Sequence, residues 1–379
     1  MPERLRVGMV GCGEAVQSLH MPALNSLAKQ FRITACCDVS REVCGDIASR
    51  TGSRAFSDPF ALIRDPEVDV VLVATPDAYH ADVAVAACEA GKRAVLVEKP
   101  PTLNSRIGRE ISRASRDTGV PVLLAYPHVY EPAFRKACEA WGQSGSPFSA
   151  EFRCIIGPNE KYTKDVVDTV RPQQIGPFDV MMSQLDLAAA ATEVLGMKIG
   201  IGDVVAYGTI LGLLIHDFPV MRRILGEPGD VVYARARGTA GMGLAPGLGL
   251  DIIFDYGGFG RVLHQTEIEE MKCTDWGFDL RRADLQIRVR YPPTFAQSAP
   301  SFCSIRREEN GMTVEEKHAG RYETGFRCEW KHLYEVVTKG VVPETGVEDA
   351  VRDLELVERV ARYLVRSARD PANLGGESA

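Results

Sequence analysis

Leu5-Arg6-Val7-Gly8-Met9-Val10-Gly11-Cys12-Gly13 begins as an apolar run and ends in a glycine turn. A strand, a G-x-G turn and then a helix make the opening of a dinucleotide-binding βαβ unit. Gly11 permits the tight turn, and Gly13 lets the main chain approach a pyrophosphate. The helix entered through Glu14, Ala15 and Val16 presents free N–H groups and the positive end of its dipole to the same anion. Val16 stands where the pattern has glycine or alanine, so looser helix-to-strand packing is expected.

Downstream, Phe31 to Cys37 reads as a second strand ending at Asp38. An acidic side chain about 25 residues after the glycines accepts hydrogen bonds from the adenosine ribose and meets a 2′-phosphate with repulsion. This favours NAD over NADP; a helix cap is the alternative role for Asp38, and Arg41 lies near enough to soften the repulsion. Helices at Arg41 to Thr51, His80 to Ala90 and Ser105 to Thr118 alternate with strands at Val68 to Ala74, Ala94 to Val97 and Val120 to Tyr126. That alternation predicts a parallel sheet, whose ligands bind outside the carboxyl ends of its strands. Thr75 and Pro76 follow one such end and are expected to line the crevice, while His80 either faces it or caps its helix. Glu98-Lys99-Pro100 follow another, a charged pair at an apolar strand end.

After Tyr126 the pattern changes, and the expected boundary divides residues 1–126, the dinucleotide-binding domain, from 127–379, a substrate-binding and oligomerisation domain. Strand-like runs at Phe148 to Ile156, Val231 to Arg237, Leu250 to Tyr256, Arg261 to Glu267 and Leu285 to Tyr291 predict an α/β domain with a mainly antiparallel open sheet. The unusual piece is 157–208, read as a lid or as an interface segment, in which Asn159, Lys161 and Tyr162 form a polar cluster suited to a hydroxylated substrate. A helix over Gly346 to Arg366 closes the chain.

Composition narrows the function classes. The chain has 379 residues, 45% hydrophobic and 25% charged, as in a soluble globular protein of two domains. A net charge of -7 disfavours nucleic acid, and the apolar runs are too short to span a bilayer. Met1-Pro2-Glu3-Arg4 leads straight into a strand, and the ten cysteines lack metal-site or disulfide-framework spacing. Reduced thiols, a cytoplasmic location and no bound metal are therefore expected.

Taken together, Gly11-Cys12-Gly13 with His20-Met21-Pro22-Ala23-Leu24, Ala74-Thr75-Pro76 with His80, Glu98-Lys99-Pro100, and Tyr126 with Tyr130-Glu131-Pro132-Ala133-Phe134 resemble the Gfo/Idh/MocA oxidoreductases. Glu348-Asp349-Ala350-Val351-Arg352-Asp353 is similar to that family's closing helix. The resemblance implies a Rossmann domain followed by an α/β domain that binds a sugar or cyclitol and forms a homodimer or homotetramer. Lys99 would sit beside the nicotinamide and the substrate hydroxyl, with Glu98 near the nicotinamide ribose. Lys99 acts either as a base, which requires a lowered pKa, or as a cation that polarises the oxygen and leaves the proton to another group.

The family's candidate for that other group is a histidine four residues after an aspartate on a helix. Here His216 is retained, but Gly212 occupies the aspartate's place. Tyr126 either contacts substrate or nicotinamide, or packs between domains. The resemblance implies hydride transfer between NAD and a secondary alcohol of a sugar, sugar nucleotide or cyclitol, a 3-keto hexose being one product within range. Two other readings stay open: a retained-NAD enzyme performing net epimerisation, sugar interconversion or glycoside cleavage, and a non-catalytic NAD- or sugar-binding regulator.

Overall fold

The computed structural model describes residues 3–142, 147–157, 169–171, 177–237, 248–257, 260–268, 274–296, 299–320 and 323–369. Asn159, Lys161 and Tyr162 lie outside the described residues. The chain forms two compact units. One comprises Met1–Pro127, Lys161–Ala188 and Gly325–Leu354, the other His128–Glu160, Ala189–Thr324 and Glu355–Ala379.

In the first unit six strands form one sheet: β1 (Leu5–Val10), β2 (Phe31–Cys37), β3 (Arg54–Phe56), β4 (Val70–Val73), β5 (Ala94–Val97) and β6 (Val122–Leu124). Their order is β3-β2-β1-β4-β5-β6, and all pairs are parallel. Strands β4 and β5 are buried at every position, as a sheet covered on both faces requires. The intervening helices include α1 (Met21–Ser26), α2 (Arg41–Thr51), α3 (Pro59–Arg64), α4 (His80–Glu89) and α5 (Ser105–Thr118). Side chains start three of them: Ser40 accepts from the Val43 N–H of α2, Asp58 from the Phe60 N–H of α3, and Asn104 from the Ile107 N–H of α5.

The far end of the chain completes this unit. Trp330, Leu333 and Val336 of the helix Gly325–Lys339 join the core of Leu5, Phe31 and Val16. Trp330 is fully buried, its ring set edge-on to Phe31 at 5.2 Å. Leu124 exchanges two hydrogen bonds with Thr345, and Leu123 bridges Gly346, so the edge of β6 is covered. The boundary expected at residue 126 does not anticipate this return.

The second unit carries an eight-stranded sheet of β7 (Phe148–Ile156), β8 (Asp230–Arg237), β9 (Leu248–Asp255), β10 (Gly260–Ile268), β11 (Asp275–Arg282), β12 (Leu285–Tyr291), β13 (Phe302–Glu309) and β14 (Met312–Ala319). The order is β14-β13-β12-β11-β7-β10-β9-β8; the β7–β10 pair is parallel and the rest antiparallel. On β12 Leu285, Ile287, Val289 and Tyr291 are buried, while Gln286 and Arg288 face out. Strands β11, β13 and β14 escaped the sequence reading because charged residues such as Asp279, Arg306 and Glu315 interrupt their apolar signal.

Candidate active site

The first glycine makes the tight turn. Gly11 has φ +84°, and an added Cβ would stand 2.2 Å from the Ala74 carbonyl oxygen, so only glycine lets this turn pass the end of β4. At Gly13 an added Cβ meets nothing within 4 Å, and that open space belongs to a crevice of about 280 Å³. Glu14, Ala15 and Val16 line its near side, Ala74 and Thr75 its middle, and Asp77, His80, Glu98 and Lys99 its far side. The helix of residues 14–26 widens into a looser turn at Val16–His20, starting at the position where the pattern has a small residue.

Asp38 is held by the main chain. Its Oδ2 accepts from the Cys12 N–H and its Oδ1 from the Ser40 N–H, both at 2.8 Å. Helix α2 is capped by Ser40, so the capping alternative for Asp38 is not what the structure has. Arg41 is exposed, as is Pro76.

On the far side, Glu98 accepts from His20 Nε2 at 2.8 Å through Oε1 and from the Lys99 N–H at 3.0 Å through Oε2. Trp330 Nε1–H donates to His20 Nδ1 at 3.1 Å. An indole N–H can only donate, so Nδ1 is the acceptor, and the proton of His20 sits on Nε2, facing Glu98. Burial pushes the Glu98 carboxyl up, but the His20 hydrogen bond and the Lys99 charge outweigh it and hold the group below the ordinary carboxylate value. Glu329, next to Trp330, goes the other way: burial and the Glu98 charge push it well up. Asp77 is also raised by burial and by Glu98, against opposing contributions from His80 and Lys99.

His80 is buried, with Nδ1 2.8 Å from the Pro100 carbonyl and Nε2 2.7 Å from the Thr75 carbonyl. Both partners are main-chain carbonyl oxygens, which can only accept. His80 thus ties the loop after β4 to the Lys99–Pro100 loop and does not cap its own helix by a side-chain bond. Thr75 Oγ1 is buried with no partner among the described residues.

A short piece of the unusual segment docks beside the crevice. Both main-chain polar groups of Val170 bond the Gln17 amide, at 2.8 and 3.0 Å, and Arg171 pairs with the crevice residue Glu14 at 3.0 Å.

His216 belongs to the second unit. Gly212 is the last residue of the helix Ile201–Gly212, and His216 ends a separate tight turn, Leu214–His216. The two are therefore not one turn apart on a continuous helix, as the pattern implied. Pro219 has no N–H for the Ile215 carbonyl, so a regular helix cannot run through. An added Cβ at Gly212 meets nothing within 4 Å. Trp276 stands edge-on to His216 at 5.3 Å, and His128 lies 5.7 Å from it, stacked on Tyr291 at 4.1 Å. The neighbouring carboxylate, Asp217, is buried and accepts from His264 Nε2 at 2.8 Å and Trp276 Nε1 at 3.0 Å. Burial pushes His128 down to about 4, with Asp217 opposing.

In the first unit the structure brings Gly13, Glu14, Ala15, Val16, Thr75, His80, Glu98 and Lys99 to one crevice, with Asp38 bonded to the glycine turn. Tyr126 of the same unit is buried. Asp77, His20, Trp330 and Glu329 were not read as site residues. His20 and Trp330 are 310 positions apart, and no local pattern signals such a pair. Open space at Gly13, an unpartnered Thr75 hydroxyl and a doubly bonded Asp38 fit a bound dinucleotide. Among the described residues no cluster suits a metal ion, and no single helix is long and apolar enough to cross a membrane.

Comparison with known proteins agrees with the geometry. Residues 5–126 match the model of an oxidoreductase family with an NAD-binding Rossmann fold. An inositol 2-dehydrogenase of Rubrobacter xylanophilus is 31% identical over 38% of this chain and 42% of its own. A myo-inositol 2-dehydrogenase of Thermotoga maritima is 24% identical over 61% of this chain and 58% of its own. The chain thus spans less than two thirds of the length of these curated relatives. Two solved structures share the fold: a 3-ketoreductase of Actinomadura kijaniata in complex with NADP and TDP-benzene, with TM-score 0.70 and 18% identity over 94% of this chain and 97% of that one, and an oxidoreductase of Thermotoga maritima, with TM-score 0.69 and 23% identity over 95% and 97%.

Proposed function

We propose, from the premise that residues 5–126 belong to the Gfo/Idh/MocA oxidoreductase family, that this chain is an NAD-dependent dehydrogenase or reductase of a secondary alcohol on a sugar, sugar nucleotide or cyclitol. The observation that carries the reading is the single crevice joining the Gly13 turn to Glu98 and Lys99. With β1 between β2 and β4, a dinucleotide seated on the turn directs its adenosine towards Asp38 and its nicotinamide towards β4 and β5. The nicotinamide, when bound, supplies hydride transfer.

Lys99 is assigned to the substrate oxygen, which it polarises or deprotonates, and Glu98 to orientation beside it. His216 is the second unit's candidate for proton transfer. NAD is favoured over NADP because Asp38 is fixed by two main-chain donors and cannot swing away from a 2′-phosphate. The test is a panel of hexoses, cyclitols and nucleotide sugars, followed by the absorbance of reduced nicotinamide. In the Lys99→Ala variant kcat should fall at least about 100-fold while NAD binds no more weakly than to the unmodified chain. Turnover that survives this substitution would refute the assignment.

One observation favours a second reading, in which NAD is retained through an oxidation–reduction cycle with no net redox change. Val170 and Arg171 fasten to Gln17 and Glu14 at the pyrophosphate end of the crevice, where a strap would slow cofactor exchange. Stoichiometric nicotinamide released on denaturing the purified protein would support it, and cofactor-free protein would count against it.

A further inference from the structure

We propose that His20 and Trp330 are positioning residues that hold Glu98 as a fixed anion in the nicotinamide half of the crevice, and that this anion biases the bound cofactor towards its oxidised form. The proposal rests on the dinucleotide reading given above. Three links carry it. Trp330 Nε1–H occupies His20 Nδ1 at 3.1 Å, so the ring is confined to the tautomer that donates to Glu98 Oε1 at 2.8 Å. Neither aromatic group can drift: the His20 side chain is fully buried, as is Trp330, and Phe326 and Trp330 stand edge-on to the imidazole at 5.3 and 6.0 Å. The second carboxylate oxygen is held by the Lys99 N–H at 3.0 Å, leaving Glu98 little freedom to rotate.

The chain ends in a pure donor, with a consequence for protons. His20 cannot accept a proton at Nδ1 without setting two N–H groups against each other. It therefore serves Glu98 as a donor and not as a relay. An anion fixed beside the nicotinamide attracts the positive ring of the oxidised cofactor and has no such attraction for the neutral ring of the reduced one. Lys99, on the same wall, acts in the opposite sense, so the balance between the two sets relative affinity. Removing the indole N–H frees Nδ1: the ring either becomes a cation that neutralises Glu98 or turns a lone pair towards it. Both outcomes weaken the anion.

The experiment measures Kd for NAD and for NADH, by fluorescence titration and competition, in the full chain and in Glu98→Gln, Trp330→Phe and the double variant. Phenylalanine keeps an aromatic ring at this position and removes the donor together with part of the indole volume. Glu98→Gln should move the ratio of the two constants towards NADH by about tenfold, and Trp330→Phe in the same direction by about fivefold. The double variant should match Glu98→Gln alone, since the indole acts through the carboxylate. A ratio unmoved by Trp330→Phe, or moved equally when Glu98 is already glutamine, would overturn the proposal.

Ring nitrogen NMR of the unmodified protein, with His20 identified by its loss in His20→Gln, provides a check that does not depend on the Trp330 and Glu98 variants folding. A single Nε2–H tautomer is expected, and an Nδ1–H ring would overturn the hydrogen-bond chain. Failure of both dinucleotides to bind would instead sink the cofactor reading, and the ring measurement would still decide the tautomer.

Discussion

Two glycines two residues apart should respond to the same substitution in opposite ways. Gly11→Ala places a methyl group 2.2 Å from the Ala74 carbonyl oxygen in a residue held at φ +84°. The left-handed backbone costs about 1–2 kcal/mol with a side chain present, and forcing the overlap apart adds about 1–3 kcal/mol. The sum, about 3 kcal/mol, corresponds to a Tm lower by about 6–12 °C for a unit of this size. Gly13→Ala puts its methyl in open crevice space and should change stability by less than about 0.5 kcal/mol. It would stand where a pyrophosphate approaches the helix end, and losing one or two charge-assisted hydrogen bonds weakens the Kd for NAD by about 10–100-fold. Thermal melts paired with titration of bound NADH fluorescence read both effects. The reasoning fails if Gly13→Ala melts as early as Gly11→Ala, or if it binds the dinucleotide as the unmodified chain does.

Other outcomes follow from single groups. Asp38→Ser removes the fixed carboxylate and should raise the preference for NADP relative to NAD by about tenfold, measured as the ratio of the two Kd values; no change would separate Asp38 from the ribose. Asp279 is held at about 2 against an ordinary 3.8, because hydrogen bonds from Arg288, Arg290 and Arg153 outweigh the burial that pushes it up. A depressed carboxylate stabilises above its unfolded value and loses that contribution as pH falls, so about 2 kcal/mol should disappear from the second unit between pH about 4 and about 2. Urea unfolding of Asp279→Asn should show that deficit at neutral pH and converge with the unmodified chain in acid; parallel curves would contradict the arginine contacts.

The first unit was legible because its signals are local. Apolar runs bounded by turn residues located β1, β2 and β5, and helices α2 and α5 start and stop where capping residues stand. Strand ends carry Thr75, Glu98 and Lys99, so a sheet of known hand puts them on one edge without any knowledge of packing. His80 was left between two roles because its partners, Thr75 and Pro100, are main-chain carbonyls that no side-chain pattern marks. The second unit was harder to read: β14 has charged or half-exposed residues along its length, and an edge strand needs little apolar signal.

What the sequence by itself determined is the dinucleotide turn, the parallel order of the first sheet and the identity of the charged pair at its edge. These depend on backbone preference and on side-chain periodicity, both of which act within a few residues. Only tertiary structure decided how that pair is supported. Trp330 reaches His20 across 310 positions, and Thr345 closes the sheet edge at Leu124, because burying the apolar face of a late helix against α1 and Phe31 brings the indole to the imidazole. A hydrogen bond needs its two atoms within about 3 Å, and no local rule of sequence brings distant residues so close.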